Sequence, residues 1–156
     1  PRYAVTALMG TGQTGIVQGT EHGYPKKINF MGRKEKYRFP ENNVISDGIK
    51  TINRVLASSP IFHQPGNIDW IDNRHGAVLG ALRRADKESI QGYLIFANLD
   101  TQNPYSLVVD LSSLIKEKES LWLEDCINGT RSEVNTDHIT VSIEPCGITI
   151  FVIGES

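Results

Sequence analysis

From about Gly66 to Gly154, apolar and polar positions alternate in short bursts separated by turn residues. In HITVSI, Ile139, Val141 and Ile143 fall on one face and Thr140 and Ser142 on the other. In SLWLED, Leu121 and Leu123 oppose Trp122. A period of two marks half-buried strands. The pattern predicts strands at Asn67–Ile71, Ala77–Ala85, Gly92–Leu99, Tyr105–Leu111, Ser120–Cys126, His138–Glu144 and Gly147–Gly154. DNRHG, ADKES, DTQNP, NGT, NTD and EPCG separate them, all rich in turn-forming residues. Seven short strands at this spacing predict an antiparallel β-sandwich or small barrel.

The first part of the chain, Pro1 to about Pro60, lacks this order. Tyr3–Met9 is apolar and helix-compatible, but the glycines of MGTGQTG forbid its continuation. Gly15-Ile16-Val17 reads as a brief buried strand. Thr20–Asn43 has no periodicity, and so long a structureless connection is usually functional or disordered. Ser46 or Asp47 can accept hydrogen bonds from the free amides that open a helix. Ile49, Ile52, Val55 and Leu56 then recur at helical spacing, and Ser58-Ser59-Pro60 ends the run. A helix over 47–57 is predicted. The division is into 1–60, mixed α/β, and 61–156, all β.

Composition narrows the function. The chain has 156 residues, 39% of them hydrophobic, and a formal net charge of −2. That suits a globular core and argues against a nucleic-acid binder, which carries a basic excess. The densest charge runs, RKEKYR (Arg33 to Arg38) and KEKE (Lys116 to Glu119), read as solvated faces. No apolar run approaches the ~20 residues of a membrane span, so no membrane partner is expected. No signal peptide is present. The chain opens at Pro1 without Met and reads as a piece of a longer product, so its compartment stays open, with the cytoplasm slightly favoured. Cys126 and Cys146 read as two reduced, half-buried thiols, with a single bridge as the alternative. Asn128-Gly129-Thr130 reads as a turn.

Candidate chemistry is sparse. His, Asp, Glu and Cys show no metal-ligand spacing, and no Ser sits in a G-x-S-x-G elbow. MGTGQTG lacks the lysine of a phosphate loop. Trp70, Trp122, Tyr93 and Tyr105 read as core aromatics, with a sugar-stacking face as the other possibility. There remains GIVQGTEHG, Gly15 to Gly23, where an apolar strand ends in Gln18, Glu21 and His22 held between glycines. Barrel enzymes place active groups at strand ends and on the loops that follow. A plain polar turn accounts for the same residues.

That stretch resembles the last barrel strand of the α-amylase superfamily, glycoside hydrolase family 13. Gly19, Glu21 and Gly23 fall on the family's positions, and Gln18 stands where many members also carry Gln. Where the family often has Tyr or Phe, this chain has Ile16 and Val17. The downstream order is similar too: a long loop, the helix ISDGIKTINRVLASSP, then the phrases GAVLGALRRA, GYLIFANLD, WLEDCINGT and IEPCGITIFVIG. Ala97-Asn98-Leu99 and Pro145-Cys146-Gly147-Ile148 are the more specific parts. The resemblance implies a remnant of a (β/α)8 barrel over 1–60, followed by the family's β-sandwich C-domain over 61–156. It implies a parent acting on α-glucans or malto-oligosaccharides by hydrolysis or transfer, as a retaining enzyme with two carboxyls about 5–5.5 Å apart. The catalytic Asp, Glu and Asp would lie upstream. This chain would then hold no catalytic residue, metal ligand or cofactor site, and would be silent alone. Gln18, Glu21 and His22 would shape the substrate rim, with Arg2 and Arg38 binding sugar hydroxyls or a carboxylate. The alternative is a free-standing β-sandwich module for carbohydrate binding or interaction, whose signature would be an exposed aromatic row of Trp70, Trp122 or Tyr105.

Overall fold

The structure, a computed structural model, describes residues 1–12, 14–17, 19–23, 44–116 and 119–155. Gln18, Arg38, most of the loop from Thr20 to Asn43, the whole of RKEKYR and part of KEKE lie outside the described residues. The elements are α1 (Arg2–Leu8), α2 (Val44–Ser58), β1 (Asn67–Trp70), β2 (Val78–Arg84), β3 (Gly92–Asn98), β4 (Tyr105–Val109), β5 (Ser120–Asp125), β6 (Arg131–Asn135), β7 (Ile139–Ile143) and β8 (Ile148–Glu155). Single 3-10 turns form at Thr20–His22 and Pro60–Phe62.

Six strands form one antiparallel sheet in the order β1-β2-β3-β8-β5-β6, and β4 pairs with β7 in a second. The two sheets face each other across one apolar core. Leu82, Leu94, Phe96, Leu121, Leu123 and Ile153 enter it from the large sheet. Leu107, Val109, Ile139, Val141 and Ile143 enter it from the pair. In β7 the alternation appears as buried Ile139, Val141 and Ile143 against exposed Thr140 and Ser142. Each such aliphatic side chain taken from water contributes about 1.5–3 kcal/mol. The architecture is an antiparallel β-sandwich.

The large sheet has a second apolar face. Ala81, Tyr93, Ile95, Ala97 and Ile150 point away from the sandwich and pack against Ala4, Ala7, Leu8 and Met9 of the first helical segment and Ile52 and Val55 of α2. Covered on both sides, β3 is buried at every position, and its sequence GYLIFAN shows no alternation.

Several expectations change. Gly15–Val17 is not a strand, and it is exposed, with Val17 58% accessible. A short apolar run is buried only if something covers it, and no described strand pairs with this one. Helix α2 begins at Val44 rather than 47, which places Ser46 and Asp47 inside its first turn rather than at its cap. There the Asp47 carboxylate faces the positive end of the helix. An eighth strand, β6, was not predicted. Its sequence RSEVN is exposed except at the half-buried Val134, so no period of two shows. Backbone pairing with β5 across the NGT turn makes it a strand.

Candidate functional site

Glu21 and His22 sit in the 3-10 turn Thr20–His22, which is bracketed by glycines. Gly19 has φ 98° and Gly23 φ 63°, left-handed values that L side chains rarely adopt. The Glu21 carboxylate folds back and accepts the Gly19 amide at 2.7 Å. Its other oxygen lies 3.8 Å from His22 Nε2. The turn is thus organised by its own carboxylate, with both side chains about a third exposed. A Cβ on Gly23 would meet Ile45 Cδ1 at 2.9 Å, so the bare glycine lets the turn approach the start of α2. Arg2 is exposed at the beginning of α1. Of the expected rim residues, Glu21 and His22 are brought together. Gln18 and Arg38 lie outside the described residues.

Two residues that the sequence pattern gave no reason to single out are among the most heavily bonded side chains described. Arg83 and Arg84 are adjacent on β2 and therefore point to opposite faces. Arg83, 1% exposed, enters the helical layer. Its Nε and Nη2 donate to the Ile61 carbonyl at 3.2 and 3.1 Å, and Nη2 also donates to Gln64 O at 3.4 Å. Its Nη1 donates to Leu8 O at 3.3 Å and to Gly10 O. The guanidinium also lies 5.3 Å from the Phe62 ring centroid. Burial lowers its pKa from the ordinary arginine value, but that value is so high that the group stays charged. Arg84, on the sandwich side, pairs with Asp69 at 2.6 Å and donates to the carbonyls of Lys87, Ser89 and Leu114.

Asn98, of the Ala-Asn-Leu phrase, is fully buried. Its amide donates to Asn103 O at 2.8 Å and Glu144 O at 3.0 Å, and its oxygen accepts from the Asp100 amide at 2.9 Å. It thereby ties the end of β3 to two turns. Beside it, Asp100 is held at about 2 by hydrogen bonds from the Asn103 side chain, the Gln102 and Asn103 amides and the Tyr105 hydroxyl. The thiols are free: Cys126 is half-buried, but Cys146 is exposed rather than half-buried. Burial pushes the Cys126 thiol up to about 11. Among the described residues, no cluster of three or more His, Cys, Asp or Glu side chains could hold a metal ion.

The aromatic row does not assemble. Tyr93 is buried against Phe62, with ring centroids 4.6 Å apart. Tyr105 packs on the sandwich core and donates to Asp100 at 3.1 Å. Trp122 is half-buried, with Arg131 4.1 Å over its ring. Trp70 is 59% exposed, against the expectation of a core aromatic, because β1 is the edge strand of the sheet. Trp70 and Trp122 stand four strands apart, ~19 Å at usual strand spacing. Clefts open on the surface among the described residues. One of about 510 Å³ lies between Ala7, Thr11, Thr14, Leu56 and His63. Another of about 590 Å³ is lined by charged groups including Asp69, Arg84, Lys87 and Glu155.

No protein-family model matches the chain, and no curated protein matches it in sequence. Its fold does match solved α-amylases. A noncanonic maltogenic alpha-amylase from Thermotoga neapolitana superposes with a TM-score of 0.71 at 17% identity, over 96% of this chain and 35% of that one. The alpha-amylase of Geobacillus thermoleovorans, solved with acarbose, gives 0.60 at 12% identity over 80% of this chain and 25% of its own. An Anoxybacillus alpha-amylase gives 0.57 at 14% identity with the same two coverages. The chain therefore spans about a third of the length of the first and a quarter of the others. At these identities the likeness is one of fold.

Proposed function

We propose that this chain is the C-terminal portion of an α-amylase-family glycoside hydrolase or transglycosylase acting on α-glucans. Residues 1–60 are the end of its catalytic barrel, and residues 61–156 are its C-domain. The observation that carries this reading is the reach of the fold likeness. It runs through 96% of the chain, helical segment included, while spanning only 35% of the amylase. A module resembling only a sandwich would align over the sandwich alone.

Two further features support the reading. Ile16, Val17, Val44 and Ile45 are exposed apolar residues in the segment assigned to the barrel, as expected of a surface that a larger body covers. The separated aromatics leave the module reading without its sugar-binding face. In the parent, Glu21 and His22 present one carboxylate and one imidazole at the substrate rim, and Gln18, Arg2 and Arg38 are the other residues assigned to substrate binding. The double displacement itself needs a nucleophile and an acid/base on either side of the scissile bond. Both belong to upstream strands.

The test is an assay of this chain with starch and maltodextrins. It should release no reducing sugar. Measurable turnover, lost when Glu21 is changed to Gln, would place the chemistry in this chain and overturn the reading.

A further inference from the structure

The helical layer is held to the sheet by apolar contact, which is non-directional, by a 3.5 Å contact between the Ser58 and Tyr93 hydroxyls, and by the directional hydrogen bonds of Arg83. Arginine has five N–H donors in a planar fork. In Arg83 all five are used, on four main-chain carbonyls and no carboxylate. Those carbonyls come from two places. Leu8 and Gly10 are at the end of α1, and Ile61 and Gln64 are in and after the Pro60–Phe62 turn. Helical turns end in carbonyls without intrahelical partners, so both segments present bare oxygens toward the same point. Gly10 and Ile61 are 51 positions apart in sequence, so the two segments belong to opposite ends of the helical layer's chain.

We propose that Arg83 is a latch. It docks the end of α1 and the 61–64 turn onto β2 as one unit, and thereby fixes where the exposed segment after Gly10 leaves the sheet on its way to the Thr20–His22 turn. The latch works through fork geometry and not through charge alone. A lysine at this position has three donors on one nitrogen and cannot span both carbonyl groups. The surrounding apolar contacts of Ala4, Ala7 and Leu8 remain when the latch opens, so its loss frees the docked segments without dissolving the sandwich.

Hydrogen exchange on the full chain tests this. The informative amides are Val5 and Met9, bonded to Pro1 O and Val5 O, and Phe62 and His63, bonded to Ser59 O and Pro60 O. In Arg83→Met and in Arg83→Lys these amides should exchange faster together, on the order of tenfold or more for a lost charged hydrogen bond. The Leu107–Val141 ladder of the second sheet should stay within about twofold, because it lies in a separate core. Full rescue by lysine would show that charge suffices and would overturn the latch. Equal acceleration in both layers would reduce Arg83 to a general core residue and overturn it too. Should both variants fail to fold, the unaltered chain decides under graded denaturant. Val5, Met9, Phe62 and His63 should open in one step below global unfolding, and separate openings would sink the proposal.

Discussion

Asp100 shows how a half-exposed carboxylate can be tied to the fold. Its four hydrogen-bond donors are present only when the β3–β4 turn is formed, so they favour the ionised carboxyl in the folded chain. The folded pKa of about 2 lies below the ordinary aspartate value of about 3.9. The stability it contributes is therefore complete above pH ~4 and is lost as pH falls toward 2. Urea midpoints of the chain and of Asp100→Asn should differ most at pH 5 to 7 and converge near pH 2. A difference that is constant with pH would show that ionisation is not involved. Side chains of this kind are poorly legible in sequence. Asn98 is visible as part of a family phrase, but its three hydrogen bonds depend on turns at residues 100–103 and 144 that only the fold brings together. Arg83 and Arg84 sit in an otherwise apolar strand, where polar residues are normally taken to face solvent. Both are buried instead, because carbonyls converge on them, from distant segments on Arg83 and from the following turn and Leu114 on Arg84.

At the scale of elements, β4 and β7 were readable because burial on one face imposes a period of two, and β3 because a short apolar run lies between turn residues. β6 escaped because an edge strand exposed almost throughout needs no apolar set. Gly15–Val17 misled for the converse reason, since apolar composition states a preference for burial and not that a partner is present. The β1–β2 pair rests on an ion pair at its rim. Arg84 is only 5% exposed and Asp69 21%. Two of the guanidinium's contacts with carbonyls are to the β2–β3 turn, at Lys87 and Ser89, so the arginine cannot swing out to water. Asp69→Ala leaves a buried charge without its counter-ion and should cost about 3–5 kcal/mol, read as a lowered urea midpoint. An unchanged midpoint would mean that the carbonyls alone satisfy Arg84.

Over the whole molecule, stability should be uneven. The sandwich has two opposed faces and a continuous core. The helical layer covers the other face of the sheet, and the segment 14–17 is exposed. In hydrogen exchange of the isolated chain, the amides of Gly15–Val17 should exchange at nearly the unprotected rate while those of β3 and β8 remain protected. Protection of 14–17 equal to that of the sandwich would mean that the segment is satisfied within this chain, and would weigh against its being the edge of a larger barrel. The fold class and the likeness to amylases were legible together, because the ordered series of strand phrases spans most of the chain. The site was legible only as a turn, because Gly19 and Gly23 mark a bend in the sequence while the contact between Glu21 and His22 follows from how the turn folds.

The two tryptophans stand on well-separated strands of the large sheet, Trp70 on the edge strand β1 and Trp122 on the inner strand β5, in unlike surroundings. Trp70 is open to solvent on β1. Trp122 lies against Gly154, whose missing Cβ gives the indole its seat, with the Arg131 guanidinium over its ring. The chain thus carries its own pair of optical reporters. A neutral quencher reaches the first indole far more readily than the second. Changes in their emission distinguish an event at the β1 edge from one at the β5–β6 side.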